Sequence, residues 1–94
     1  MPMSPADRVT PSDAVVTRVV EGATVLLDTD TGRYFTLDDV GGRAWATLIA
    51  SPSIQDARDV LLEEFDVEPD ELMRDLEALV VTLEARGLVH VGRG

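Results

Sequence analysis

The chain has 94 residues, 45% of them apolar, which is enough for one small domain with a single core. It has no cysteine, no apolar run of about 18 residues and no basic, apolar signal-peptide start. We therefore expect a cytoplasmic protein without disulfides or cysteine-ligated metals. The net charge of −10, from 18 acidic residues against 8 arginines, would repel phosphates, so we predict that neither nucleic acid nor a membrane is a partner.

The N-terminal segment is rich in proline and poor in apolar side chains. Residues 1–12 include Pro2, Pro5 and Pro11 with mostly polar spacers, a composition typical of segments without stable structure. We therefore predict a flexible arm over residues 1–12 and one folded domain over residues 13–92.

Three stretches rich in β-branched, aliphatic or aromatic residues follow the arm and are separated by short turns. Glu21-Gly22 makes a short turn, and Gly32 supplies the positive φ that short hairpin loops often need. Because short connections join antiparallel neighbours, we expect a three-stranded meander. The predicted strands cover residues 14–20, 23–28 and 33–37.

The rest of the chain shows helical periodicity in three stretches and ends in a short strand. Asp38 or Asp39 can cap the first helix, Ser53 followed by Asp56 resembles a capping box at the start of the second, and Pro69 suits the first position of the third. This order predicts an α+β, winged helix-turn-helix-like fold, in which a three-stranded antiparallel sheet precedes three helices and a short C-terminal strand. The predicted segments are a first helix that ends before Ser51, a second over about 54–65, a third over 69–86, and a strand over 88–91.

The third strand and the third helix together predict a groove. The third strand is an edge of the meander, so its outer N–H and C=O groups can pair with an extended peptide unless the arm or the wing covers them. The third helix has an apolar face wide enough either to serve only as core or to line a groove as well. The candidate peptide-binding residues are Arg33, Tyr34, Phe35, Thr36 and Leu37 on the strand, and Asp75, Leu76, Leu79, Val80 and Leu83 on the helix.

Two details of these candidates stay open at this point. Alternation along a strand lets only two of the four side chains of Tyr34–Leu37 face the groove, and the pattern does not say which two. Arg33 and Asp75 are charged and are candidates for holding polar or charged groups of a bound peptide.

Catalytic motifs are missing from the sequence. His90 is the single histidine, and a structural or solvent-facing role suits it better than a catalytic or metal-binding one. The acidic residues between the second and third helices lack the spacing of a calcium-binding loop. We therefore predict no enzyme activity, no catalytic residue, no metal site and no cofactor.

Three sets of residues resemble the PqqD-like peptide-chaperone family. Residues 32–38 are similar to its G-x-F/Y-x-x-L-N/D pattern, and Trp45 falls where the family has a tryptophan. The resemblance extends over about residues 14–91. The remaining matching positions are Leu61, Phe65-Asp66-Val67, Asp75-Leu76, Leu79, Leu83 and Gly87-Leu88-Val89.

The resemblance implies a RiPP recognition element, a non-catalytic domain that binds the leader segment of a ribosomally made precursor peptide. In this family the leader adds beside the third strand and packs on the third helix. The small stand-alone proteins of lasso-peptide biosynthesis are the most similar branch, because Asp38 stands where the quinone-cofactor branch commonly has asparagine. Their leaders carry a Tyr-x-x-Pro motif, and their implied partners are a cysteine protease that removes the leader and a cyclase.

Three other functions remain possible from the sequence. The first is a chaperone for the precursor of pyrroloquinoline quinone, which would use the same groove. The second is a winged-helix transcription regulator, although the third helix lacks the basic face that DNA reading needs. The third is a dimerisation domain joined through edge strands.

Overall fold

The computed structural model of the chain, which describes residues 3–92, confirms the α+β class and the three predicted helices. Its strands form a three-stranded antiparallel sheet in the order β2-β3-β4 and a two-stranded antiparallel sheet of β1 and β5. The elements in chain order are β1 (Arg8–Pro11), β2 (Val15–Val20), β3 (Ala23–Asp28), β4 (Tyr34–Leu37), α1 (Asp39–Ala50), α2 (Ile54–Glu64), α3 (Pro69–Ala85) and β5 (Val89–Gly92).

The three strands predicted from the sequence are β2, β3 and β4, and their two turns depend on positive φ angles. The β2–β3 turn has φ of 51° at Glu21 and 85° at Gly22, and Gly32 has φ of 74° before β4. At Gly32 the N–H donates to the carbonyl of Asp28, whose own N–H donates to the carbonyl of Arg33. These bonds set the register that pairs Leu26 with Phe35.

Strand β1 lies within the segment for which the sequence predicts only a flexible arm. It pairs with β5, and its Val9 is 2% exposed opposite Val91. The carbonyls of Pro5 and Asp7 also accept bonds from the first N–H groups of α2. The sequence misses this strand because it is four residues long and its partner is about 80 residues away. Met1 and Pro2 lie outside the described residues, and the boundary at residue 12 stays a prediction.

The helix starts agree with the predicted caps. The carboxylate of Asp38 accepts the N–H of Gly41 at 2.7 Å, and the hydroxyl of Ser53 accepts the N–H of Asp56 at 3.2 Å. These bonds satisfy N–H groups that have no partner inside the helix. Arg43 of α1 makes a bidentate ion pair with Glu64 at the end of α2, with both N–O distances 2.7 Å. This pair joins the two helices at the surface.

The core lies between the three helices and the inner faces of both sheets, since the smaller sheet contributes Val9 and Val89. Helix α1 crosses the sheet closely because Gly42 packs on Thr24 of β3, where an added Cβ would overlap the threonine hydroxyl. Among residues 3–92, no helix is both long and apolar enough to span a membrane. The buried apolar side chains are Val9, Leu26, Leu37, Ala44, Trp45, Leu48, Ile54, Ala57, Leu61, Leu76, Val80, Leu83, Leu88 and Val89.

Candidate functional site

Strand β4 has an unpaired outer edge. It pairs with β3 on one side only, and within residues 3–92 no other strand joins it. The N-terminal strand β1 pairs with β5 instead, and in the part of the chain that the structure describes no N-terminal residue pairs with this edge. Hydrogen-bonded and non-hydrogen-bonded residue pairs alternate along an antiparallel ladder. The N–H of Asp28 donates to the carbonyl of Arg33, so this pair is hydrogen-bonded and the next pair, Leu27 with Tyr34, is not. The N–H and C=O groups of Tyr34 and Thr36 therefore point to the free edge.

The side chains of β4 divide between the two faces of the sheet. Phe35 and Leu37 pair with the buried Leu26 and Thr24, so they face the helices, whereas Tyr34 and Thr36 face outward. Leu37 is 6% exposed and belongs to the core, but Phe35 is only half-buried. Of the four strand side chains, Phe35 is thus the one that a groove beside the helices can use.

Helix α3 presents a partly exposed flank beside its buried face. Five residues follow one another at spacings of three and four, which places them on one stripe of the helix surface. All five are half-buried or exposed, in contrast to Leu76, Val80 and Leu83. We call this stripe the α3 flank, and its members are Leu72, Asp75, Leu79, Thr82 and Arg86.

The end of the α3 flank meets the start of β4. The guanidinium of Arg86 lies over the ring of Phe35, 4.9 Å from its centroid. A hollow of about 200 Å³ opens here, and Arg33 and Tyr34 also line it. The contact between Arg86 and Phe35 therefore joins α3 to β4 at this hollow. We call this hollow the basic end of the groove. The remaining lining residues are Asp28, Thr31, Ala85 and Leu88.

The start of the α3 flank meets the beginning of α1. A second hollow of about 200 Å³ lies between α1, the loop after α2 and the first turns of α3. Its wall is apolar, except that the carboxyl-bearing side chains of Glu71 and Asp75 lie on its α3 side. We call it the acidic end of the groove. The apolar residues around it are Val40, Ala44, Leu61, Phe65, Val67 and Leu72.

The two hollows share one wall, since residues of the α3 flank line both. Strand β4 runs from the basic end into Asp38 and α1 at the acidic end. The half-buried Leu79 lies on the flank between the two ends. Together these features outline a groove beside the free edge of β4, with an apolar middle and charged ends.

The structure brings together some of the sequence-predicted residues and buries others. Arg33, Tyr34 and Phe35 lie around the basic end, Asp75 lines the acidic end, and Leu79 lies between them. Leu76, Val80 and Leu83 are at most 2% exposed, and like Leu37 they pack in the core. Thr36 contributes edge N–H and C=O groups.

Sequence reasoning missed several residues that line the groove. These residues border the apolar face of α3 or lie on α1 and the loop after α2. The three–four spacing of the α3 flank is visible in the sequence and could have identified Leu72 and Arg86. The sequence does not show how α1 packs against that flank, so it could not have identified the others. The missed residues are Leu72, Arg86, Val40, Phe65 and Val67.

Another concave surface lies at the opposite edge of the same sheet. The hairpin of β2 and β3 and the side of α1 enclose a broad, mainly apolar cleft that includes Val19, Trp45 and Ile49. Strand β2 also has a free edge in the described part of the chain. No residue of α3 lines this cleft, so only the β4 edge combines free backbone groups with the α3 flank.

Comparison with known proteins assigns the chain to a family. The family model of coenzyme PQQ synthesis protein D matches residues 23–89. The structure of TbiB1 in complex with the TbiA(beta) leader peptide superposes with a TM-score of 0.80 at 33% identity, covering 86% of this chain and 94% of that one. A lasso peptide synthetase B1 complexed with its leader peptide gives 0.78 at 27% identity, covering 90% and 98%. No curated protein matches. From the extent of the family match, the chain belongs to the PqqD family.

Proposed function

We propose that the protein is a RiPP recognition element that binds the leader segment of a lasso-peptide precursor. The observation that carries the proposal is the free edge of β4 beside the α3 flank. An extended peptide that adds to such an edge takes affinity from main-chain bonds and specificity from side-chain pockets. Both similar solved structures are complexes with leader peptides, which supports the same role here.

Each part of the groove has a distinct role in this proposal. Tyr34 and Thr36 offer main-chain N–H and C=O groups, and Phe35 and Leu79 offer apolar surface. Arg33, Arg86 and Asp75 hold charged or polar groups of the leader. Leu37, Leu76, Val80 and Leu83 support the groove from beneath, and direct contact with a leader would require the buried side chains to become accessible.

The protein acts in this proposal as a carrier without chemistry of its own. The bound leader would be presented to a separate cysteine protease that removes it and to a cyclase that closes the ring, all in the cytoplasm. Pull-down of each partner with the protein, in the presence and absence of leader, tests this part separately from leader binding.

A proline substitution tests strand addition directly. The N–H of Thr36 points to the free edge, so Thr36→Pro removes a donor that the fold itself does not use, and edge strands tolerate proline. Thr17 lies on the opposite edge strand β2, and its N–H also points to a free edge, because its partner Leu26 directs its own N–H and C=O groups toward Phe35 of β4. Thr17→Pro is therefore a matched control.

We expect Thr36→Pro to weaken leader binding by at least about threefold to tenfold, the value of one main-chain hydrogen bond. Thr17→Pro should leave binding unchanged. The assay is fluorescence anisotropy with the labelled TbiA(beta) leader. Equal losses in both variants, with both folded by circular dichroism, would contradict addition at β4, and loss in Thr17→Pro alone would move the site to β2.

The family match also favours a second candidate, the chaperone of the pyrroloquinoline quinone precursor. It would use the same groove for a different leader. Parallel titrations with a lasso leader and with the quinone precursor decide between the two functions, because the peptide with the lower Kd identifies the precursor that the protein serves. The wing-and-helix layout also raises a DNA-binding regulator, but the exposed side of α3 carries Asp70, Glu71 and Glu84, which disfavours phosphate contact.

A further inference from the structure

Charge is segregated between the two ends of the groove. At the basic end, Arg33 and Arg86 are exposed, and neither makes an ion pair within residues 3–92. The one carboxylate that lines this hollow belongs to Asp28, and it accepts the N–H groups of Asp30 and Thr31 at 2.9 and 3.4 Å. Two guanidinium groups are thus available here in a chain whose net charge is −10.

The acidic end has the opposite character. Glu71 and Asp75 are exposed on α3, one turn apart, and no arginine is among the residues that line this hollow. Their carboxylates lie at the rim of an apolar cup that includes Leu72 and Phe65. This end suits a cationic side chain of a bound peptide. The apolar hollow can be filled by the aliphatic part of that side chain or by an apolar residue next to it in the peptide.

The helix geometry sets the spacing of the two ends. Asp75 and Arg86 are about three turns apart on α3, which is a rise of about 16 Å at 1.5 Å per residue. An extended peptide advances about 3.3 Å per residue. Side chains that reach both ends are therefore about five residues apart along a bound strand.

We propose that the groove selects leaders by charge. The preferred leader has an acidic residue that contacts Arg33 and Arg86, and a basic residue, about five positions away in the leader, that contacts Glu71 and Asp75. The proposal rests on leader binding as the function and adds the chemistry of the ligand. The overall field of a chain with net charge −10 favours positive charge everywhere on a ligand. A position at which negative charge improves binding therefore reports local recognition at the arginines.

The test is a charge scan of one leader. Each residue of the TbiA(beta) leader is replaced singly by glutamate and by lysine, and the affinity of every peptide for the full chain is measured. We expect one position that prefers glutamate and another, about five residues away, that prefers lysine more strongly than its neighbours do. Each preference should be about two- to fivefold, the range of exposed ion pairs, and should shrink as salt rises.

Charge-reversal variants assign each position to its end of the groove. Arg86→Glu should remove the glutamate preference at the first position, because Arg33 alone is then offset by the new carboxylate, and it should leave the second position unchanged. Asp75→Lys should remove the additional lysine preference at the second position and leave the first unchanged. Arg74→Glu and Glu84→Lys are the matched controls on the same helix, because both are exposed and lie off the α3 flank. Neither control should alter the pattern of preferences.

The outcomes separate the inference from the function beneath it. A leader that binds with a uniform preference for lysine, or whose preferences Arg86→Glu and Asp75→Lys do not change, overturns the charge selection and leaves leader binding intact. No binding of any leader peptide at tens of micromolar protein overturns leader binding and the charge selection together.

Discussion

Substitutions at two neighbouring residues of α3, Leu79 and Val80, distinguish effects on peptide binding from effects on core stability. Val80 is fully buried, so Val80→Ala removes two methyl groups, about 1.6 kcal/mol of transfer free energy, and leaves a small cavity. We expect the free energy of unfolding to fall by about 2–3 kcal/mol. Leu79 is half-buried on the α3 flank, so Leu79→Ala should cost the free fold only about 1 kcal/mol. A leader that covers the remaining surface of Leu79 would gain about 1 kcal/mol, or roughly fivefold in Kd.

Thermal unfolding and anisotropy titrations together check this pair. A domain of this size loses about 4–8 °C in Tm per kcal/mol, so Val80→Ala should melt about 8–24 °C lower and Leu79→Ala about 4–8 °C lower. At a temperature where both variants are fully folded, only Leu79→Ala should bind the leader more weakly. Equal weakening by Val80→Ala would show that the groove reaches the face we assign to the core.

Three further predictions concern the scaffold. Gly42→Ala should lower the free energy of unfolding by about 1–3 kcal/mol, because the new Cβ overlaps the hydroxyl of Thr24, and Thr24→Ala in the same chain should recover part of the loss in denaturant titrations. Arg43 lowers the pKa of the Glu64 carboxyl, chiefly through the hydrogen bond between them. Because the pKa of Glu64 is lowered in the folded state, the ion pair stabilises the protein fully above the unfolded pKa, and this contribution is lost as pH falls through the folded-state pKa. Glu64→Gln should therefore lower Tm at pH 7, and the difference in Tm from the unmutated protein should shrink as the pH is lowered into the acid range. Val9→Ala should lower the free energy of unfolding by about 2–3 kcal/mol, because Val9 of β1 is buried, and an unchanged Tm would show instead that residues 1–12 are a flexible arm.

The elements that the sequence predicts well are those with local signals. β2, β3 and β4 follow β-branched and aromatic runs, and the caps of α1 and α2 follow Asp38 and Ser53. Strand β1 has no such signal, because its stability comes from pairing with β5 at the other end of the chain. Short strands of this kind depend on tertiary contacts that periodicity does not report.

The sequence predicts which two elements, β4 and α3, border the groove, but it does not predict which of their residues line it. Periodicity finds the apolar face of α3, yet it does not tell which border of that face meets β4. Leu76 and Val80 are binding candidates from the sequence, but Leu76→Asp or Val80→Asp would place a carboxylate in the core and unfold the domain. The border that meets β4 does so through Arg86, which lies over Phe35, and only the packing of α3 against the sheet identifies it.

The short free edge of β4 explains why side chains must decide which peptides bind. Tyr34 and Thr36 offer two N–H and two C=O groups, and four main-chain bonds at about 1 kcal/mol each contribute about 4 kcal/mol. Fixing four residues of a flexible peptide costs about 4–8 kcal/mol of conformational entropy. The backbone alone therefore cannot hold a strand of arbitrary sequence. Net affinity has to come from the α3 flank and the hollows at its ends, so the protein can expose a free edge without capturing every extended segment it meets.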